Sequence, residues 1–525
     1  MADIKDESWL AHWRVFAACA VMTMSPFQYG VDFGMIGGLQ AMPGFLRVYG
    51  YRTPKSPTGW NLSTERQQLI SSLMTLGAFI SSGLAGIAAI KFGRRGCLWL
   101  ACVTCCVANI IMMATTHIGA LYVGRLVIGL ANGYFMTFSQ LYIQESSPAK
   151  YRGLFLTGFQ FFTSFGTLIG TIVDWATAKR PDKTAYLIPL GMIYIVPLFL
   201  AVGMIFIPES PRWLILQGRY EDGLKSLAWL RPDGYDVDAE ATEIRAAIEK
   251  EKELSSGVGP LDMIKNPVDR RRTILAVCAV TLQAASGSMF IIAYKAYFFA
   301  MAKVSDPFAM TNVLSTIGLL AIIANSLIIV RFGRRRVLLM TGLLCCGILQ
   351  LIIAIAYEKQ PGTRTIGKVL VALSCLYMFS YNGMIATYAW LAGGEIPTQR
   401  LRSYTFGLAA AVGFLGAWLT TFTAPYFINP ASLDWGPRYG FIWFPSCVIA
   451  ATWVFFFLPE VKGRTLEEID EMFEARLPAR KFANYKCVGV LNTLDAEARR
   501  SIEKEKVQVL RTEKVQTETT ITNTA

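Results

Sequence analysis

Lys91-Phe92-Gly93-Arg94-Arg95 returns 240 residues later as Arg331-Phe332-Gly333-Arg334-Arg335, each time between long apolar runs. Glu145 and Arg152, seven residues apart, return as Glu395 and Arg402, and Pro208-Glu209 returns as Pro459-Glu460. Three matched elements in one order, at offsets of 240, 250 and 251 residues, imply two homologous halves inside a membrane, the arrangement of a carrier.

The composition agrees with that frame. Of 525 residues, 53% are hydrophobic and 17% charged, and the mean hydropathy is +0.40, values that argue against a soluble multidomain protein. Runs such as Val15 to Tyr29, Leu69 to Ile90 and Leu98 to Ala114 approach or exceed the ~20 residues that cross hydrocarbon. The pattern predicts an all-α membrane protein of twelve spans, beginning near residues 13, 67, 97, 121, 153, 185, 273, 308, 337, 367, 404 and 437. The expected organisation is a tail (1–12), a six-helix half (13–207), a polar linker with short helices (208–272), a second six-helix half (273–458) and a tail (459–525). The first apolar run is long enough to remain as a span, so no cleavable leader is expected.

A net charge of +13 could suggest nucleic acid, but the basic residues sit at the ends of apolar runs. They read as topology signals instead. Lys91, Arg94, Arg95, Lys150, Arg152, Arg331 to Arg336, Arg400 and Arg402 all fall in short loops on one side, which places both termini and the linker in the cytoplasm. The sequon Asn61-Leu62-Ser63 lies in the first loop on the opposite side, as a candidate glycan acceptor. Ten of eleven cysteines lie in or beside apolar segments, and only His12 and His117 are present. Neither a disulfide framework nor a metal, hydrolase or cofactor site is expected.

The motifs converge on a known family. Val127 to Gly133, followed by Tyr142, Glu145 and Arg152, matches the longer sugar-transporter signature, and Pro208-Glu209-Ser210-Pro211-Arg212-Trp213 is similar to the element after helix 6 of that family. Pro459 to Thr465 resembles its counterpart after helix 12. The chain is identified by these motifs as a member of the sugar porters of the major facilitator superfamily. Ala293-Tyr294-Lys295-Ala296-Tyr297-Phe298-Phe299 and Asn429-Pro430 resemble fungal alpha-glucoside permease-like members.

The resemblance implies the fold of twelve helices in two pseudo-symmetric halves, and roles for particular residues. A cytoplasmic gate would pair Arg94 and Arg95 with Glu145 and Glu209, and Arg334 and Arg335 with Glu395 and Glu460, with Arg152 and Arg402 in the same networks. The bland alternative is that these arginines only set topology. The family expects Asp just before each basic cassette, but Ile90 and Val330 stand there, so the gate would lean more on its glutamates.

Asp32, within an apolar span, should face the bundle interior, because a carboxylate in lipid is costly. The family partners it with an arginine that aligns here with Arg125, and a moving Arg could load and release a proton. A static pair that only fixes packing remains the alternative. The resemblance further implies a mid-membrane solute site with Gln160, Gln283, Tyr294 and Trp390, which could equally be interhelical glue. Ala284, Met289, Gly413 and Ala417 stand where polar residues are common in the family, so the pocket would have fewer donors and acceptors. Lys295 reads as an anion contact or as a side chain snorkelling to an interface.

These observations lead to a sugar carrier (glycoside, hexose or polyol) using proton symport and alternating access. It would be multi-pass, monomeric and in the plasma membrane. A carrier or exporter of a non-sugar solute on the same scaffold is the alternative, and a non-transporting nutrient sensor is a third.

Overall fold

Apolar stretches too long for a soluble core determine the structure from residue 13 onward. The computed structural model describes residues 9–54, 59–255, 259, 261–329, 334–361, 363–462, 464, 466–485 and 487. Twelve long helices cross between two faces: α1 (Trp13–Leu39), α2 (Thr64–Ala89), α3 (Lys91–Ala114), α4 (Ile118–Ser146), α5 (Ala149–Thr177) and α6 (Thr184–Phe206) in the first half. The second half has α7 (Pro267–Met301), α8 (Pro307–Leu327), α9 (Arg335–Lys359), α10 (Arg364–Glu395), α11 (Arg402–Ile428) and α12 (Gly436–Phe457). Ten of these are apolar enough to span a membrane by length and composition alone. Of the others, α1 is diluted by Gln28 and Asp32. Polar groups inside a span mark function more often than they argue against the span.

The starts are fixed by local chemistry. Ser63 caps α2 by accepting from Arg66 N, Asn266 caps α7 with Pro267 next, and Asp306 caps α8 with Pro307 next. Such caps satisfy the orphan N–H groups of a first turn. Between α1 and α2 a short helix, Pro43–Tyr49, leads into an antiparallel pair, β1 (Tyr51–Arg52) and β2 (Trp60–Asn61), with Tyr51 opposite Asn61.

Helices approach closely where side chains are smallest. A Cβ on Gly30 would lie 2.0 Å from Thr163 O of α5, and one on Gly129 would lie 2.2 Å from Met74 O of α2. Without a hydrophobic drive between helices in lipid, this close packing supplies the association.

Several spans are broken where function is expected. In α7 the helix stops at Ala285 and resumes at Ser288, and Gly287 takes φ +76°. The freed Ser286 carbonyl accepts from Gln350 Nε2 at 2.9 Å and Tyr377 Oη at 2.9 Å, so the break leaves no orphaned carbonyl. A π turn interrupts α10 at Tyr381–Ala386.

The linker carries helices Pro211–Leu216, Tyr220–Leu230 and Val237–Ser255. Ile215, Leu227, Ala241 and Ile248 form their common core, and Arg231 holds them to α4 by donating to Ser146 O at 3.0 Å and to both Glu240 oxygens. A second compact unit begins at Phe456. Within it, the helix Leu466–Glu474 packs through Phe473 on Phe482, ring centroids 5.0 Å apart.

Candidate solute and coupling site

Two spans of the first half meet at one carboxylate, and a third holds its arginine. Asp32 of α1, 1% exposed, accepts from Arg125 Nη1 of α4 at 2.8 Å and from Asn132 Nδ2 of α4 at 2.9 Å. Arg125 also donates from Nε to Ile70 O at 3.2 Å. Asn132 lies seven residues after Arg125, two helical turns on, so both reach the same acid. The sequence placed Arg125 at Asp32 but missed Asn132, although it stands inside the signature already singled out. Its signal was the spacing. A guanidinium and an amide thus each engage one oxygen of the Asp32 carboxylate in this state.

At the face carrying the arginine-rich turns, labelled inner after the charge-rule expectation, Arg94 grips Glu145 with both prongs, Nε at 2.9 Å and Nη2 at 2.7 Å. Ser210 Oγ donates to the same carboxylate at 2.5 Å. Glu209 is held differently from the expectation of arginine side chains. It accepts from the backbone N–H groups of Arg94, Arg95 and Ser210 at 3.2, 3.0 and 2.8 Å. This is a helix N-terminus acting as an anion cradle. Gly93 makes it possible with φ +74°, since a Cβ there would fall 2.5 Å from Glu209 Oε2. Burial pushes the Glu209 carboxyl up, and those N–H groups oppose the shift.

In the second half Arg335 pairs with Glu395, and Arg402 donates from Nε and Nη2 to Gly394 O at 3.1 and 2.8 Å. Arg334 occupies the N-cap position of α9, exposed. Glu460 belongs to the second unit, where it accepts from Lys462 N at 3.2 Å. The Arg152 and Ile90 side chains, Val330 and residues 331–333 lie outside the described residues. The contacts at Glu145, Glu209 and Glu395 tie elements within one half, so they brace each half rather than bridge the two.

The bridge lies at the opposite, outer end. Asn61 Nδ2 donates to Asn429 Oδ1 at 2.9 Å, Asn429 Nδ2 donates to Gln67 Oε1 at 2.8 Å, and Tyr297 Oη donates to Asn61 Oδ1 at 3.2 Å. Thr64 and Ser432 share a hydrogen bond of 2.6 Å beside them. Asn61 is therefore 1% exposed and its amide nitrogen is engaged. The asparagine expected as a glycan acceptor thus has its acceptor nitrogen buried and hydrogen-bonded in this state.

The expected solute residues separate into two groups. Gln160 of α5 is half-buried. Gln283 of α7 donates to Ala386 O at 2.7 Å, and Trp390 packs edge-on to Phe406 at 6.1 Å and near Phe414 at 6.3 Å. Tyr294 departs from expectation: it is fully buried and its hydroxyl donates to Thr421 O at 2.7 Å, stitching α7 to α11. In this state its hydroxyl is engaged within the second half. Lys295 does not snorkel, being 3% exposed with Nζ donating to Ser315 Oγ at 2.6 Å.

The missing polar groups have a packing counterpart. A Cβ on Gly413 would lie 2.7 Å from Val280, and one on Gly416 would lie 3.1 Å from Ala284. Helices α7 and α11 therefore close on each other where a more polar pocket would hold them apart.

A family model described as "Sugar (and other) transporter" matches residues 18–473. The low-affinity glucose transporter HXT1 of Saccharomyces cerevisiae is 26% identical over 476 residues, covering 88% of this chain and 82% of that protein. The high glucose sensor RGT2 of the same yeast is 29% identical, covering 85% of this chain and 59% of the sensor. Among solved structures, the inward-open xylose transporter XylE from E. coli superposes with a TM-score of 0.71 at 20% identity, covering 87% of this chain and 99% of XylE. The proton:xylose symporter XylE bound to 6-bromo-6-deoxy-D-glucose gives 0.69 at 21% identity, with the same coverages of 87% and 99%.

Proposed function

The chain belongs to the sugar (and other) transporter family of major facilitator carriers, and from that premise we propose that it moves a sugar by alternating access with proton symport. The observation that carries the coupling is the buried Asp32, held by Arg125 and Asn132 in a bundle whose outer end is sealed. Moving the guanidinium away leaves a carboxylate that favours its protonated form. Restoring it expels the proton, so helix motion and proton transfer become one event.

The solute sits between the halves, contacted by Gln160, Gln283 and Trp390. The relatives' names, glucose transporter and xylose symporter, support a sugar. The arginine-rich face is cytoplasmic, with both termini on that side, the plasma membrane as the site of action and a monomer as the working unit.

The close packing of α7 on α11 favours a second solute class, less hydroxylated than a hexose. Both are tested together. Uptake of labelled D-glucose, D-xylose, maltose, a polyol and an organic acid into a transport-deficient host should show saturable, protonophore-sensitive accumulation of a sugar. Accumulation of the organic acid alone would select the second class. Saturable sugar uptake that the protonophore leaves intact would remove the symport.

A further inference from the structure

The bundle contains a second buried acid that the Asp32 pair does not explain. Asp174 lies three residues before the end of α5, 1% exposed, and neither carboxylate oxygen has a hydrogen-bond partner. Helix α1 presses on it through Gly38, where a Cβ would fall 1.9 Å from Oδ2. The cation that faces it is Lys295 of α7. No hydrogen bond or ion pair joins the two, because Lys295 Nζ is given to Ser315 Oγ of α8, which in turn donates to Thr311 O at 3.0 Å. Lys179 and Arg180 stand beyond the end of α5, exposed.

The two acids therefore differ in kind within one state. Asp32 has a guanidinium and an amide, whereas Asp174 is enclosed by α1 and α5 with nothing donating to it. An ionised carboxylate without donors in a dry interior is strongly disfavoured, and protonation removes most of that cost. Asp174, Gly38 and Lys295 all lie in the outer part of their helices, the part brought together by the Asn61–Asn429 seam. Opening that seam would return the site to water.

We propose that Asp174 is a second proton-binding site of this carrier, loaded as the outer end closes. As the seam forms, a hydronium ion of the outer cavity gives its proton to one Asp174 oxygen and leaves as water, while Lys295 Nζ stays on Ser315 Oγ. When the seam opens, the O–H bond breaks and the proton returns to water. Closure of the outer end thus consumes a proton by itself. This rests on the proton-coupled reading above, but its test needs no solute.

The test uses the purified full chain with spin labels on Tyr51→Cys and Leu433→Cys. Both positions are exposed at the outer end, one on each half, and the exposed native thiol is removed by Cys345→Ser. In otherwise unaltered protein the short, outer-closed distance should lose population as pH rises. Asp174→Asn should remove that loss of the closed distance at high pH, whereas Asp32→Asn should retain it. An infrared band of a protonated carboxyl should accompany the closed state and vanish in Asp174→Asn alone. Should Asp174→Asn fail to fold, Lys295→Met serves, with the transition displaced to higher pH. An unchanged pH dependence in Asp174→Asn, or an unmoved transition in Lys295→Met, overturns the proposal. Failure of sugar uptake with this titration intact would sink the function reading and leave the second site standing.

Discussion

Asn61 and Asn429, 368 residues apart, exchange a 2.9 Å side-chain hydrogen bond that fastens the first half of the chain to the second at the outer end. Asn429 also reaches Leu62 O at 3.0 Å and Gln67 Oε1 at 2.8 Å, so one amide gathers the seam. In such a carrier the equilibrium between outer-closed and outer-open states is set by contacts of this kind, made in one state only.

Asn429→Ala removes those bonds at once. At about 1 kcal/mol for each of the three bonds lost, the outer-open population should rise by roughly 100- to 200-fold. Spin-label distances across the outer end would read it, and an unchanged distribution would refute the seam.

The same seam predicts that the mature protein carries no glycan on Asn61. Endoglycosidase treatment of protein from a glycosylating host should leave its electrophoretic mobility unchanged, and Asn61→Gln should run as the unaltered chain does. A mobility shift that depends on Asn61 would show that the seam tolerates a sugar chain.

Asp32→Asn should abolish uphill accumulation while sparing solute exchange. Arg125→Met should be far more damaging, by about 3–5 kcal/mol of stability, because it strands a buried charge. Detergent-solubilised thermal stability separates the two. Equal damage from both would mean a static packing pair.

Gly93→Ala should disrupt the Glu209 cradle. The positive φ and the 2.5 Å approach to Glu209 Oε2 leave no place for a methyl group, and strain at such a position costs on the order of 1–3 kcal/mol. Reduced transport at normal expression and a lowered melting temperature are expected. Gly96→Ala, with a Cβ contact of 3.3 Å to the Phe92 side chain only, should be milder.

Met289→Asn tests the thinned pocket. The side chain is half-buried just after the break in α7, and one added hydrogen bond worth about 1 kcal/mol should lower KM for a monosaccharide roughly five-fold. Ala284→Gln should not help, because Gly416 packs on that position.

The sequence was informative where energy depends on chain-local properties. Apolar length placed all twelve spans, and the expected starts lie within about six residues of those observed, since crossing hydrocarbon requires a fixed number of residues. The duplicated cassettes identified the turns, and the Asp32–Arg125 pair followed from the family motifs. Gly93 was quoted as part of a cassette, but its reason, a left-handed turn that aims N–H groups at Glu209, was not legible. A sequence lists side chains and does not say that backbone donors will replace them.

Other contacts were not legible for a related reason. Asn61 read as a surface sequon and Tyr294 as a solute contact, because residue type does not reveal which interface a side chain will meet. Lys295 was expected to snorkel, yet Ser315 of α8 captures it inside. By itself the sequence determined the span count, the twofold repeat and the acid–base pair of the first half, all consequences of burying or neutralising charge along a chain. The tertiary structure alone decided that Asn61 seals the outer end, that Glu209 is held by backbone, and that Asp174 is left without a donor. Those outcomes depend on which helices touch, and in a membrane that is settled by close packing between distant glycines and small side chains.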